Sequence, residues 1–340
     1  MAGMKITARV PMDIQFMPAW LSWVGATTTC LRALGVDCEL ADVAGYSGYA
    51  FMQCVNEGLC PSGPTMCDWG MLDGGVNMLG RSTLAFGCSD CHTKDTACDR
   101  TREHCRVAYE LAEREVAAGR PCVLWGAYLP EFAVVTGVDK GQYIVKSIKG
   151  HCGEPEPPIP YDALDAPGGP YVLAFPTPAA HHAGDDFTDR YAVGLAARLL
   201  RQPTMFANYG FGLASYDTWI AALREGKLSG FGNAYNAQCY AERTRLAQQF
   251  LARVAARQPL VAEPLARAAK AYETAATEMA KVAALFPFPG AGEHEDAQRR
   301  EQAAGALADA QVAESAAASA LSEALYMQWE PAQEAGAAQG

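Results

Sequence analysis

The stretch PEFAVVTGVDKGQYIVKS, residues 130–147, decides the fold class of this chain. Two runs rich in β-branched and aromatic residues, EFAVVTGV and QYIVKS, flank the turn sequence Asp139-Lys140-Gly141. Runs of this kind, separated by a short turn that contains glycine, are typical of a β-hairpin. The stretch therefore predicts two adjacent antiparallel strands. The first of them opens with an acidic residue, Glu131.

The rest of the first half contains two predicted helices and further strands. Apolar spacing predicts a helix over residues 21–35, which ends on a glycine, and an amphipathic helix over residues 101–118. Residues 121–128 and 171–175 have the composition of strands. Because the helices precede the strands instead of alternating strictly with them, the pattern favours an α+β domain with an antiparallel sheet.

The second half changes composition and is predicted to be all-α. Amphipathic spacing predicts helices over residues 187–202, 216–225, 236–257, 262–285 and 295–327. The last two are joined by PFPGAGEHED, which predicts a long antiparallel helical hairpin. The polar junction PTPAAHHAGDD separates the two halves, so we predict one domain over residues 1–178 and a second over residues 186–330.

Net charge and cysteine content limit the partners and the cellular location that we expect for this protein. The 340 residues include 38 acidic and 27 basic side chains, which gives a formal net charge of −11. This balance argues against nucleic acid as a partner, and no polybasic segment suggests an anionic membrane. The apolar stretch IQFMPAWLSWVGA is too short to span a bilayer and is interpreted as part of the folded domain. We therefore expect a cytoplasmic protein whose twelve cysteines are reduced.

Four segments of the first half carry a resemblance to a known family. They are GATTTCLRALG, ELADVAGYSGYAF, AAGRPCVLWG and the hairpin of residues 130–147. Together they resemble papain-like cysteine peptidases, specifically the branch of double-glycine peptidases that process bacteriocins, and the N-terminal domain of butirosin-type acyltransferases. The likeness covers roughly residues 15–175. It implies a papain-like first domain, and a helical second half that corresponds to the helical extension of such acyltransferase-like proteins.

The resemblance implies a catalytic triad, and the sequence departs from it at all three places. A papain-like site needs a thiolate at the start of the first helix, a histidine to deprotonate it and a carboxylate or amide to orient that histidine. The first place falls among Ser22 to Gly25, where there is no cysteine. The second is Glu131, and the third falls at Lys146-Ser147. The standard Cys-His-Asp triad is therefore predicted to be absent.

Glu131 has three interpretations. It could be an ordinary residue at a strand end, a carboxylate that contacts a ligand, or a catalytic base whose pKa an apolar site would have to raise. A catalytic role would require a displaced nucleophile, for which Cys30, Cys54 and Cys60 are the candidates, with Glu131 or His92 as base. Such an enzyme would be an acyltransferase or an amide hydrolase.

The segment GCSDCHTKDTACDRTREHC, residues 87–105, is the sharpest local motif. Cys88 and Cys91 have the spacing of zinc or iron–sulfur ligands, and His92 or Cys98 could join them. The Cys-x-x-Cys-His pattern also fits covalent haem attachment, but that chemistry requires export. A thiol-redox pair, or loop cysteines without a metal, is the alternative that the motif leaves open.

Aromatic residues beside glycines form a second group of candidates. We predict that a ligand would be contacted by Trp23, Tyr46, Tyr49, Phe51, Asp68, Trp69 and Glu131. Aromatic side chains with a closely approaching backbone suit the wall of a pocket, although they suit a plain core equally well.

The sequence thus supports one main function and two alternatives. The main hypothesis is a non-peptidase that binds a small molecule or a peptide in the cleft of a degenerate papain-like scaffold. The alternatives are an acyltransferase or amide hydrolase with a displaced cysteine, and a metal or thiol-redox protein centred on Cys88 and Cys91. The long helical hairpin could also pair two copies of the chain into a homodimer.

Overall fold

The computed structural model of the chain describes residues 6–88, 93 and 97–329. The strands among these residues are β1 Thr7–Arg9, β2 Cys54–Asn56, β3 Leu84–Gly87, β4 Cys122–Trp125, β5 Phe132–Asp139, β6 Gln142–Lys146, β7 Ile159–Pro160, β8 Tyr171–Ala174 and β9 Tyr209–Phe211. The α-helices are α1 Ser22–Ala33, α2 Leu40–Tyr46, α3 Trp69–Val76, α4 Asp99–Ala117, α5 Ile148–His151, α6 Asp186–Arg201, α7 Ala214–Glu225, α8 Gly230–Arg257, α9 Ala262–Leu285 and α10 Ala297–Tyr326.

The contacts within the chain define two compact units. Unit 1 contains the described residues within Met1–Val43 and Gly70–His182, and unit 2 contains those within Ala44–Trp69 and Ala183–Gly340. Residues 44–69, which the sequence analysis assigned to the first domain, thus belong to unit 2 by contact. The predicted division into independently folding domains stays a prediction.

Unit 1 is built on a sheet of seven strands in which every recorded pairing is antiparallel. The strand order is β3-β8-β4-β5-β6-β7, and β1 pairs with the far end of β5. The sheet and the helices around it confirm the predicted α+β class. Strand β5 lies at the centre because one side of it pairs first with β4 and then with β1, while β6 covers the other side.

The hairpin that joins β5 and β6 has the turn that its sequence predicts. Asp139 pairs with Gln142, and the two residues between them, Lys140 and Gly141, have φ values of 47° and 90°. Two consecutive positive φ values in a two-residue loop are characteristic of a type I′ turn, whose twist matches that of the strands. A bulge between Val135 and Gly137 adds one residue to β5 within this hairpin.

Two helices cover opposite faces of the sheet. Helix α4 buries Ala108, Tyr109 and Ala112 against one face, which includes Cys122 and Val135. Because side chains alternate along a strand, the neighbours of these strand residues point to the opposite face. Helix α1 contacts β4 and β5 and is not part of the α4 cluster, so it covers that second face.

Unit 2 is dominated by helices, and its C-terminal hairpin confirms the prediction. Arg267 on α9 pairs with Glu323 on α10 at 2.7 Å, and Arg299 at the start of α10 donates to the carbonyl oxygen of Leu285 at the end of α9. These two contacts fix α9 and α10 as antiparallel neighbours. Helices α6 and α7 pack against α10, and α8 packs against α9. The strands β2 and β9 form a separate two-stranded sheet, which the sequence analysis did not predict.

Helix α8 begins six residues earlier than its apolar spacing predicts. The expected start is residue 236, whereas the helix starts at Gly230. A β-carbon at Gly232 would stand 2.0 Å from the carbonyl oxygen of Leu59, so only glycine fits there. The glycine that looks like a helix breaker in the sequence is therefore a point of close backbone approach.

Among the described residues, no helix is long and apolar enough to cross a membrane. The cytoplasmic location and the pairing of two copies through the helical hairpin stay predictions.

Candidate functional site

The start of α1 and the start of β5 meet through a hydroxyl and a carboxylate. Ser22, the first residue of α1, donates a hydrogen bond from its Oγ to Oε2 of Glu131. The same Oγ accepts a hydrogen bond from the backbone N–H of Phe132 at 3.1 Å. Ser22 is 9% exposed and Phe132 is 3% exposed. This cluster joins the position expected for a nucleophile to the position expected for its base.

A glycine closes the loop that presents Glu131. The backbone N–H of Gly126, which follows β4, donates to the carbonyl oxygen of Glu131 at 3.0 Å. Gly126 has a φ of 76°, and a β-carbon there would stand 2.5 Å from the β-carbon of Ala166. A side chain at this position would therefore displace the loop and, with it, the carboxylate of Glu131.

The N-terminus of α1 favours a negative charge beside Ser22. The first N–H groups of a helix have no partner within the helix, and the helix dipole is positive at that end. Gly25, one turn further along, allows the preceding segment to pack closely, since a β-carbon there would stand 2.4 Å from the carbonyl oxygen of Met17. The Glu131 carboxylate thus lies beside the N-terminus of α1.

A shallow, open depression in unit 1 adjoins Glu131, and the space of about 200 Å³ between its walls includes open solvent. Its lining comprises Ala127, Tyr128, Leu129, Glu131, Phe132, Ala133, Ser147, Ile148 and Lys149. The hydroxyl of Tyr128 donates to the carbonyl oxygen of Pro157 at 2.7 Å, which fixes the ring. Burial, and secondarily the negative charge of Glu156, raise the pKa of Tyr128 to about 12, so the ring stays neutral at physiological pH.

The third position implied by the triad also holds a hydroxyl and a carboxylate. Ser147, directly after β6, donates from its backbone N–H and from its hydroxyl to Oε1 of Glu156, at 2.6 and 2.7 Å. A β-carbon at Gly150 would stand 2.2 Å from the Glu156 carboxylate, so glycine makes room for it. The sequence analysis missed Glu156, Tyr128 and Lys149, because they lie in loops and in the short helix α5.

The surroundings of the three cysteines that were candidates for a displaced nucleophile bear on that role. Burial raises the pKa of the Cys30 thiol well above its ordinary value and that of Cys54 to about 12. The thiol of Cys60 accepts a hydrogen bond from the hydroxyl of Ser62 at 3.0 Å. Within the described part of the chain, none of these three thiols is hydrogen-bonded to a carboxylate or an imidazole. The surroundings of Cys30 and Cys54 disfavour the thiolate that a nucleophile requires.

Four of the predicted aromatic contacts are core residues in their own units. Trp23 is buried in unit 1. In unit 2, the hydroxyl of Tyr46 donates to Asp189 at 2.6 Å, that of Tyr49 donates to the carbonyl oxygen of Pro64, and Phe51 packs edge-on against other rings. The remaining two candidates, Asp68 and Trp69, are exposed and partly exposed. Of the predicted ligand contacts, Glu131 alone lines the depression.

The metal-binding prediction falls mostly outside the described residues. Cys91 and His92 belong to that undescribed part, and Cys88 is partly exposed. Across the residues that the structure describes, no group of three or more His, Cys, Asp or Glu side chains could hold a metal ion. A zinc, iron–sulfur or redox role for Cys88, Cys91 and His92 therefore stays a prediction.

Comparison with known proteins does not assign the chain to a family. No protein-family model matches the chain, and no curated protein matches it.

Proposed function

We propose that this protein is a non-peptidase that binds a small molecule or a peptide in the depression beside Glu131. The observation that carries the proposal is the hydrogen bond from Ser22 to Glu131. It joins a hydroxyl and a carboxylate at the two positions to which the family resemblance assigns a thiol and an imidazole. The adjoining depression offers apolar, aromatic and charged side chains, which are the usual components of a ligand site.

The bonding of Ser22 argues against a role as nucleophile. Its hydroxyl donates a hydrogen bond to Glu131, and its oxygen accepts a hydrogen bond from the backbone N–H of Phe132. The oxygen already accepts a hydrogen bond and belongs to a residue that is 9% exposed, so it has little access to a carbonyl carbon. A carboxylate is also a much weaker base than a serine alkoxide, so the proton would stay on the serine.

The same pair supports the family resemblance as a proposal. In a papain-like domain, the N-terminus of the first helix meets the first residue of a central hairpin. Here Ser22 starts α1, Glu131 precedes β5, and Ser147 follows β6. We propose that unit 1 is such a domain in which all three catalytic positions have changed: Ser22 donates a hydrogen bond to Glu131, and Ser147 donates to Glu156.

Binding and turnover can be tested on the same preparation. Titration with amino acids and capped dipeptides should raise the melting temperature of the protein, because a ligand that binds the folded state stabilises it. The Glu131→Ala variant should lose that rise. Lys146→Met is a matched control, since Lys146 is exposed on β6 and lies outside the lining of the depression.

Two results would contradict the proposal. One is hydrolysis of p-nitrophenyl acetate or of a peptide amide by the intact chain that disappears in Ser22→Ala. The other is a covalent acyl adduct on any cysteine, found by mass spectrometry. Iodoacetamide at pH 8 is expected to leave Cys30 and Cys54 unmodified, because burial keeps their thiols protonated at that pH.

A further inference from the structure

A buried carboxylate at the C-terminal end of α4 is paired with two arginines. The side chain of Glu115 is 1% exposed, and its Oε1 accepts a hydrogen bond from Nε of Arg114 at 3.1 Å. Its Oε2 accepts a hydrogen bond from Nε of Arg120 at 2.7 Å. Both arginines therefore approach the carboxylate through Nε, and one of them, Arg120, lies in the segment that leads from α4 into β4.

A third arginine, Arg81, reaches the same end of the sheet from another part of the chain. Its Nη2 donates to the carbonyl oxygen of Phe175, the residue after β8, at 2.8 Å. Extending the register of β4 against β8 by two residues places Pro121 opposite Phe175. Arg120 immediately precedes Pro121. Because neighbouring strands lie about 5 Å apart, the side chains of Arg81 and Arg120 meet at this end of the sheet.

The guanidinium of Arg81 has a buried donor that lacks an acceptor. Its Nε–H is inaccessible to solvent, and no acceptor among the described residues lies within hydrogen-bond distance of it. An unpaired donor in this position destabilises the folded state. Burial, and secondarily the positive charge of Arg120, also lower the pKa of the Arg81 guanidinium, while the charge of Glu115 opposes that shift. An anion beside Arg81 would supply the acceptor and offset the repulsion between the two arginines.

Arg120 supplies a second set of donors. Its Nε is used by Glu115, and the hydrogen bonds of the part of the chain that the structure describes leave Nη1 and Nη2 for another acceptor. The side chain is 26% exposed, so a solute can reach these two nitrogens. Since the bond to Glu115 orients the guanidinium before any ligand arrives, less entropy is lost on binding.

The local charge favours a doubly charged ligand. Arg81, Arg114 and Arg120 carry three positive charges against the single negative charge of Glu115, on a chain whose formal net charge is −11. The C-terminus of α4 adds about half a negative charge, which leaves an excess of roughly 1.5 positive charges. A phosphate group carries about −1.5 to −2 at pH 7, and its oxygens match the fork of N–H donors on a guanidinium. A carboxylate would neutralise only part of this excess.

We infer that Arg81 and Arg120 bind a phosphate group at this end of the sheet in unit 1. Arg81 donates to it from Nε, and Arg120 donates from its two terminal nitrogens. The site is separate from the depression beside Glu131, because Arg120 precedes β4 whereas Gly126, which binds the Glu131 carbonyl oxygen, follows β4. The inference therefore goes beyond the proposed function and does not depend on it.

Calorimetric titration of the full chain at constant ionic strength tests the inference. Inorganic phosphate should bind about tenfold or more tightly than acetate, which has one charge and fewer acceptor oxygens. Methyl phosphate distinguishes two sources of the same group. If it binds as tightly as inorganic phosphate, the site takes a phosphate monoester, and if it binds more weakly, the site takes free phosphate; both results support the inference.

Variants of the arginines should change the affinity for inorganic phosphate in a defined pattern. Arg81→Gln should weaken binding about tenfold, since it removes a charged donor that is not one of the two partners of Glu115. Arg106→Gln is the matched control, because it removes the same charge from an exposed position about 12 Å before Arg114 along α4. The control should bind phosphate as the parent does.

Two further variants separate binding from folding. Arg120→Lys keeps a positive charge beside Glu115 but loses the fork, so it should fold and still bind phosphate several times more weakly. Glu115→Gln removes the single negative charge and should tighten phosphate binding, whereas a purely structural cluster predicts no change. Far-UV circular dichroism checks the fold of each variant, and Arg120→Lys decides if Arg81→Gln does not fold.

Three results would overturn the inference. The first is a parent chain that does not bind phosphate, or binds it no more tightly than acetate. The second is equal weakening by Arg81→Gln and Arg106→Gln, which would show a response to net charge alone. The third is a folded Arg120→Lys variant that binds phosphate as tightly as the parent does.

Discussion

Removal of the Ser22 hydroxyl should show how much the contact between α1 and the start of β5 contributes to the stability of the protein. In Ser22→Ala, the N–H of Phe132 loses its acceptor and the carboxylate of Glu131 loses a donor. A buried donor without a partner costs about 1–3 kcal/mol, and a hydrogen bond to a charged group contributes about 1.5–3 kcal/mol. The two losses together amount to about 2.5–6 kcal/mol, and the higher helix propensity of alanine offsets about 0.5 kcal/mol, so we expect the variant to be destabilised by about 2–5.5 kcal/mol.

Substitutions at Ser22 and at Glu131 should destabilise the protein by different amounts. Glu131→Gln keeps an oxygen that can accept from Ser22, so only the gain from the charge is lost, about 1 kcal/mol. Because the two side chains are in direct contact, the double variant should be less destabilised than the sum of the single variants by about 1–2 kcal/mol. Ser319→Ala, at an exposed position of α10, should change stability by less than about 0.5 kcal/mol.

Two measurements check these values. Urea unfolding followed by far-UV circular dichroism gives the free energies for the double-mutant cycle. Hydrogen exchange measured by NMR reports on the Phe132 amide itself, which should exchange about five to 150 times faster in Ser22→Ala, as a loss of about 1–3 kcal/mol requires. Free energies that add within about 0.5 kcal/mol, together with an unchanged exchange rate at Phe132, would refute the reasoning.

Unit 2 offers two further predictions, each with an internal control. Glu314→Gln should destabilise the protein by about 3–5 kcal/mol in urea unfolding, since Glu314 and Arg243 form a fully buried ion pair. Glu301→Gln, which breaks an exposed pair on the same helix, should cost less than about 1 kcal/mol, and equal losses would contradict the argument. Gly232→Ala should lower the melting temperature, because its β-carbon would overlap the Leu59 carbonyl. Gly305→Ala, which has open space around it, should instead raise stability by about 1 kcal/mol. A Gly232→Ala variant that is more stable than the parent would show that the close approach is absent.

Much of the fold follows from local sequence patterns. The type I′ turn at Lys140-Gly141 follows from the turn residues, and the hairpin of α9 and α10 follows from apolar spacing and the connection rich in proline and glycine. Both are decided by residues close in the chain. The short strands β2 and β9 lack such a signal, because three residues are too few to show alternation and their pairing joins segments about 150 residues apart.

The candidate site is only partly predictable for the same reason. The resemblance marked Ser22 to Gly25, Glu131 and Lys146-Ser147, but the hydrogen bond between Ser22 and Glu131 joins residues 109 positions apart. The partner of Ser147 was missed because Glu156 lies in a loop rich in proline, where neither spacing nor propensity predicts contacts. The positions of side chains that line a depression from loops depend on the conformations of those loops. A single sequence does not predict these conformations directly.

If unit 1 is the papain-like domain that we propose, the position of the charge at this junction is reversed. In a papain-like site, the thiolate at the helix N-terminus is negative and the imidazolium on the hairpin is positive. With Ser22 and Glu131, the proton stays on the helix residue and the negative charge lies at the start of β5, beside the depression. In that case, the same pair of residues, Ser22 and Glu131, accounts both for the missing nucleophile and for an anionic contact that a ligand could use. A cationic group on the ligand is then expected on electrostatic grounds, since the hairpin that would have repelled it now attracts it.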